Sequence, residues 1–68
     1  MTEAEEKALN ARLAELVLEH RDLDAAIAAM IESGVTDQLQ MTRLKKRKLQ
    51  LKDQIAIIED ALLPDIIA

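Results

Sequence analysis

A single glycine near the middle of the chain, Gly34, limits the possible folds most, because a helical pattern lies on each side of it. Helices often end at a glycine in the left-handed conformation, since glycine has no Cβ to clash there. We therefore expect Ser33 to be the C-cap of a first helix. Val35 should then contact Met30 across the turn.

The second helix is expected to begin within three residues of this glycine. Thr36 is predicted to cap it, and Asp37 places a negative charge at its positive end. Because this turn is too short for a crossover, the two helices should run antiparallel and touch. At the other end, Thr2 and Glu5 form a capping box that predicts where the first helix begins. The sequence thus predicts one domain, 1–68, with a helix at about 3–32, a turn at 33–36, a helix at about 37–62 and a short tail at 63–68.

Both helices carry apolar residues at alternating spacings of four and three, the heptad pattern of a helix–helix seam. Folding the chain at Gly34 pairs the two seams, with paired residue numbers summing to about 71 and no seam residue left over. The predicted fold class is all-α, an antiparallel two-helix hairpin of coiled-coil character. The seam consists of Leu9, Leu13, Leu16, His20, Leu23, Ile27, Met30, Met41, Leu44, Lys48, Leu51, Ile55, Ile58 and Leu62.

Several large apolar residues point away from the seam, which suggests a further interface. Burying a Leu or Ile side chain is worth about 1.5–3 kcal/mol, and an isolated hairpin has only one narrow contact face. We expect self-association into a dimeric four-helix bundle, with docking of a helix from another protein as the alternative. The candidate interface residues are Leu18, Leu49, Ile57 and Leu63.

Composition narrows the class of protein further. The net charge is −4, and the chain has no Cys, Phe, Tyr or Trp. Disulfides and aromatic base-stacking platforms are thereby excluded. The longest uncharged apolar run, 25–31, is far shorter than the about 20 residues of a membrane span. The acidic start Met1-Thr2-Glu3 does not resemble a signal peptide, so we expect a cytoplasmic protein without membrane contact.

Two polar residues occupy seam positions, His20 and Lys48. His20 could sense pH or bind a metal with Asp24 beside it. We favour a partly buried histidine hydrogen-bonded to a carboxylate, because a metal site needs several ligands. Lys48 could bind a ligand, but we favour a role in fixing the register, with its side chain reaching toward Glu19 or Asp24. The lone serine, Ser33, lies roughly 20 Å from His20 along the helix, too far for a catalytic triad. We predict no catalytic residues, metal site or cofactor.

A basic stretch at 43–52 is the main charged feature. It could bind a nucleic-acid backbone. The charges spread around the helix, however, and acidic residues of the first helix can pair with them, so we favour a solvated or internally paired surface. The candidate basic patch is Arg43, Lys45, Lys46, Arg47 and Lys52, and the candidate counter-charges are Glu19, Asp22 and Asp24.

Two strings of residues carry a family resemblance: Leu16-x-x-Glu19-His20-x-x-Leu23-Asp24-x-x-Ile27 and Leu44-Lys45-Lys46-x-Lys48-Leu49-x-Leu51-Lys52-Asp53-x-Ile55. Through them the chain resembles the small YdcH-like family of bacterial proteins over roughly residues 9–62. The resemblance implies a short helical hairpin and no activity, because the family is a domain of unknown function. Matching family-pattern positions without assigned roles are His20, Lys48, Lys52 and Asp53. The family often has glutamate where Arg47 and Gln54 stand here.

Two functions follow as hypotheses. The first is a non-enzymatic helical-hairpin module for protein–protein interaction. The alternative is a nucleic-acid-associated accessory protein that binds through the basic stretch.

Overall fold

The computed structural model describes residues 1–34 and 37–63, which form two α-helices. The first helix, α1, spans Glu3–Ser33, and the second, α2, spans Gln38–Leu62. The helices pack against each other, which confirms the predicted all-helical hairpin. A helix of 31 residues is about 46 Å long at 1.5 Å per residue. The length of α1 therefore accounts for the longest dimension of the molecule, 47 Å.

The start of α1 is capped by the side chain of Thr2. The backbone N–H of Glu5 donates to Thr2 Oγ1 at 3.1 Å, and the Thr2 hydroxyl donates to Glu5 Oε1 at 3.1 Å. Glu3, Glu5 and Glu6 fill the first turn with negative charge. Acidic side chains suit this end because the first backbone N–H groups carry the positive end of the helix dipole.

The end of α1 lies one residue later than the sequence predicted. Gly34 is the C-cap, with φ 73° and ψ 1°, and its N–H donates to the carbonyl of Ile31 at 3.3 Å. A Cβ at Gly34 would meet no atom within 4 Å, so glycine is required for its positive φ and not for space. The prediction of Ser33 as C-cap is wrong: Ser33 is still helical, and its hydroxyl donates to the carbonyl of Met30 at 3.0 Å. The predicted contact of Val35 lies outside the described residues.

The N-cap of α2 is Asp37, so the assignment of that role to Thr36 is wrong. Asp37 has an extended backbone, and its side chain accepts a hydrogen bond from the N–H of Gln40 at 3.1 Å. Asp is at least as strong an N-cap as Thr, and its charge also favours the positive helix end. One residue therefore supplies both the cap and the charge. Thr36 itself lies outside the described residues.

At the far end, α2 stops at Leu62. Leu63 has φ −68° and ψ 131°, the extended conformation that a residue directly before a proline favours. The remainder of the predicted tail, 64–68, lies outside the described residues.

The core is a single line of side chains between the helices. Leu16 and Leu51 are 0% exposed and Ile27 is 8% exposed. Every described residue that is buried or half-buried belongs to the fourteen-residue seam, and all of the other described residues are exposed. A hairpin has only one internal face, so everything off the seam faces outward.

Candidate interaction surfaces

Lys48 forms an ion pair with Asp24 across the hairpin. The lysine lies at a seam position, where it is half-buried, and its flexible stem carries the ammonium out to the carboxylate on the flank of the seam. Of the two carboxylates proposed as its partner, the structure selects Asp24. The pair allows a charged residue to occupy a core position without leaving the charge unpaired.

This pair changes the titration of the carboxylate. The hydrogen bond from Lys48 holds the pKa of Asp24 below its ordinary value of 3.8. Desolvation opposes this effect, while the charges of Lys48 and His20 add to it. Asp24 is therefore ionised over the whole neutral range, as the pairing requires.

A second ion pair crosses between the helices at Arg47, whose Nη2 lies 3.2 Å from Glu19 Oε2. Glu19 precedes His20 and Asp24 follows Leu23, so these two carboxylates lie on opposite flanks of the α1 seam. The two ion pairs thus border the seam on its two sides. They use two of the three counter-charges that the sequence proposed.

His20 lacks the expected partner. The residue is half-buried, but its Nε2 is fully covered and has no hydrogen-bond partner among the described residues. The predicted hydrogen bond to a carboxylate is therefore not formed at this atom, because the nearby Asp24 is engaged by Lys48. Within residues 1–34 and 37–63, no group of three potential ligands is placed to hold a metal ion.

Two grooves lie along one flank of the hairpin, and they share Ala56 and Glu59. The larger, of about 570 Å³, lies toward the middle of the molecule, and the smaller, of about 390 Å³, lies toward the end of α2. The larger is lined by Val17, His20, Asp24, Lys48, Leu49, Lys52, Ile55, Ala56 and Glu59. The smaller is lined by Leu13, Ala56, Glu59, Asp60, Leu62 and Leu63.

The four candidate interface residues do not all border these grooves. Leu49 lines the larger groove and Leu63 the smaller, whereas Leu18 and Ile57 line neither, although both are exposed. Ile57 follows Ala56 by one residue, and one residue turns a helix by about 100°. The side chain therefore faces a different direction from the grooves.

Sequence reasoning did not select Ala56, Glu59 or Asp60 as surface residues of interest. The heptad spacing could have indicated Ala56, because it lies seven residues from both Leu49 and Leu63 and therefore on the same side of the helix. It was overlooked because only large apolar residues were considered. Leu39 is a further exposed leucine, at 62%, that the sequence did not single out.

The candidate basic patch is divided by the structure. Arg47 is engaged by Glu19, and Lys52 lines the larger groove. The other members, Arg43, Lys45 and Lys46, are exposed and form no ion pair within the described chain.

These features define a two-helix hairpin with a narrow core, polar residues within its seam and apolar grooves on one flank. The chain belongs to the family described as "Protein of unknown function (DUF465)", which matches residues 13–59 and is the YdcH-like family that the sequence resembled. No curated protein and no solved structure matches the chain significantly. Neither helix has an apolar stretch that would suit it to span a membrane, as far as the described residues show.

Proposed function

We propose that this protein is a non-enzymatic interaction module that self-associates, with two hairpins packing as a dimeric four-helix bundle. The observation that carries the proposal is the imbalance between buried and exposed apolar side chains. Among the described residues, three hydrophobic residues are buried, whereas eight large ones are exposed by 49% to 69%. A stable monomer buries a larger share of its apolar side chains than this hairpin does, and so gains more free energy of folding from them.

The surface area supports the same proposal. The hairpin exposes 5497 Å². A compact monomer of 7.6 kDa is expected to expose about 4,300 Å². The excess of about 1,200 Å² exceeds the about 800 Å² that each partner buries in a standard interface. Association with a second hairpin would bring the exposed area per chain to an ordinary value.

We propose that this module lies in the cytoplasm. Disulfides do not persist in that reducing compartment, so a chain without cysteine loses no stabilisation there. The alternative function, nucleic-acid binding, is favoured by one observation only, the exposed cations Arg43, Lys45 and Lys46. It predicts binding to DNA or RNA that weakens steeply with salt and on replacement of Lys45 and Lys46 by glutamine. Absence of binding at low salt would eliminate it.

Sedimentation equilibrium over a wide range of concentrations tests the main proposal. We expect a mass of two chains that falls toward one chain on dilution. Leu49→Glu should shift the equilibrium toward the monomer, because it places a charge in the apolar groove. Gln50→Glu is the matched control: it adds the same charge at the next, exposed position and should leave the mass unchanged. A wild-type protein that remains monomeric at every concentration would contradict self-association.

A further inference from the structure

We propose that the second copy docks on one side of α2, with the two α2 helices antiparallel and a two-fold axis at Ala56. This inference rests on the proposed self-association and specifies its geometry. The surface concerned, here named the α2 groove face, consists of Leu49, Lys52, Ala56, Glu59 and Leu63.

The α2 groove face is one continuous strip. Ala56 and Glu59 line both grooves, Leu49 and Lys52 line the larger, and Leu63 lines the smaller. Residues seven apart lie two turns apart on nearly the same side of a helix. Leu49, Ala56 and Leu63 therefore form a straight apolar line about 21 Å long at 1.5 Å per residue.

This strip is complementary to itself. A two-fold dimer requires that each residue of the surface meet a suitable residue of the same surface. With the axis at Ala56, each Leu49 meets Leu63 of the second copy, because both lie seven residues from the axis. The small side chain of Ala56 lies at the centre, where the two helix backbones come closest.

The charges follow the same symmetry. Lys52 lies four residues before Ala56, and Glu59 and Asp60 lie three and four residues after it. Lys52 and Glu59 lie on the same side of the line through Ala56, so antiparallel packing brings the lysine of each copy to Glu59 of the other. Lys52, Glu59 and Asp60 form no ion pair within the described part of the hairpin, so these charges are available to a second copy.

The first helix permits the same approach. In the register that the sequence predicts, where paired residue numbers sum to about 71, Ala56 lies level with residue 15 of α1, within one residue of Ala14. Ala14 lies three residues before Val17, which lines the larger groove, and residues three apart are neighbours on a helix surface. A small side chain therefore lies at the axis level on both helices, and two hairpins can approach closely there.

Charge reversal tests this geometry. We expect Lys52→Glu alone and Glu59→Lys alone each to raise the dimer dissociation constant by at least tenfold, because each places two pairs of like charges across the axis. An equimolar mixture of the two variants should regain dimers, since one chain then supplies only acids and the other only lysines at these positions. The double variant should also regain them.

The matched control is Arg43→Glu and Asp22→Lys, an exposed cation and an exposed acid that line neither groove and form no ion pair within the described chain. These changes alter the net charge equally and should leave the dissociation constant within about threefold. If the wild-type protein dimerises and the Lys52 and Glu59 variants behave like these controls, the proposed geometry is wrong while self-association stands. A monomeric wild-type protein would overturn both.

A cysteine cross-link provides a second measurement that does not depend on charge. The chain has no cysteine, so Ala56→Cys introduces a single thiol at the proposed axis. A disulfide requires Cα atoms within about 7 Å, which an antiparallel pair reaches only near the axis. We expect rapid formation of a disulfide-linked dimer on mild oxidation, and slow formation for Ile57→Cys. Equal rates for the two variants would contradict an axis at Ala56.

Discussion

The two polar residues of the seam, His20 and Lys48, occupy equivalent core positions but differ in whether their polar groups have a partner. Lys48 reaches Asp24 and forms an ion pair, whereas His20 Nε2 is buried without a partner in the described chain. The difference arises from side-chain length. A four-carbon stem carries the lysine charge to the flank of the seam, but an imidazole cannot leave the position where its backbone places it.

This comparison shows how a thin core tolerates polar residues. A polar group at a seam position lowers the free energy of unfolding only slightly when it can reach the surface, and lowers it more when it stays buried without a partner. The hairpin keeps both polar layers because fully buried leucines, Leu16 and Leu51, lie in the same seam. Changes at these positions test the account, beginning with the largest expected effect.

Leu51→Ala should produce the largest loss of stability. Leu51 is 0% exposed, and its removal leaves a cavity in a core that has little else to fill it. We expect the free energy of unfolding to fall by about 2–5 kcal/mol, measured by urea denaturation at fixed chain concentration. Leu18→Ala removes the same atoms from an exposed position and should change stability by less than about 0.5 kcal/mol. Similar losses in both variants would show that Leu51 is not part of the core.

His20→Leu should stabilise the hairpin. The substitution removes a buried, unpartnered nitrogen and restores the apolar pattern of the seam. We expect a gain of about 1–3 kcal/mol in the free energy of unfolding, the usual cost of an unsatisfied buried polar group. Lys48→Leu is the comparison variant and should change stability much less, because the lysine is already satisfied. If the two leucine variants gain equally, the contrast between the two polar residues is wrong.

Asp24→Asn should reduce the dependence of stability on acid. The pKa of Asp24 is lower in the folded protein than the ordinary 3.8, so its ionised form favours folding. This contribution is present above pH 3.8 and is lost as the pH falls through the lowered folded-state pKa. Unfolding measured from pH 6 to about pH 2 should therefore show a smaller loss for Asp24→Asn than for wild type. The control, Asp22→Asn, changes an exposed carboxylate two residues away and should retain the wild-type profile.

Glu19→Gln should have the smallest effect. Its pair with Arg47 is about half exposed on both sides, and such pairs contribute at most about 1 kcal/mol. A double-mutant cycle with Arg47→Gln should give a coupling free energy below that value, decreasing further at high salt. A coupling energy that is larger, or insensitive to salt, would mean that this pair is better shielded from solvent than its exposure indicates.

Much of the fold was predictable because the physics is local. The N-cap at Thr2, the glycine that ends α1 and the heptad spacing depend on residues within one or two turns of each other. The errors at the turn were also local in origin. Thr36 and Asp37 are both residue types that cap helices, and only the backbone conformation at Asp37 decides between them.

The surface was harder to predict. Exposure of Leu49 and Leu63 follows from their absence from the seam, and their alignment with Ala56 follows from the heptad spacing. The grooves beside this line, however, depend on where α1 lies, because α1 side chains form their other wall. A list of large apolar residues does not contain this information, since it omits the alanine and the charges that lie between them.

The sequence by itself determined that this chain is a hairpin with a defined seam, because helix periodicity and a single left-handed glycine allow few other arrangements. The tertiary structure decided which side chains share a flank and which polar groups find partners. Asp24 could serve His20 or Lys48 as far as spacing shows, and the packing of the two helices assigned it to the lysine. That choice depends on atoms that are distant in the chain, and no local pattern of residues encodes it.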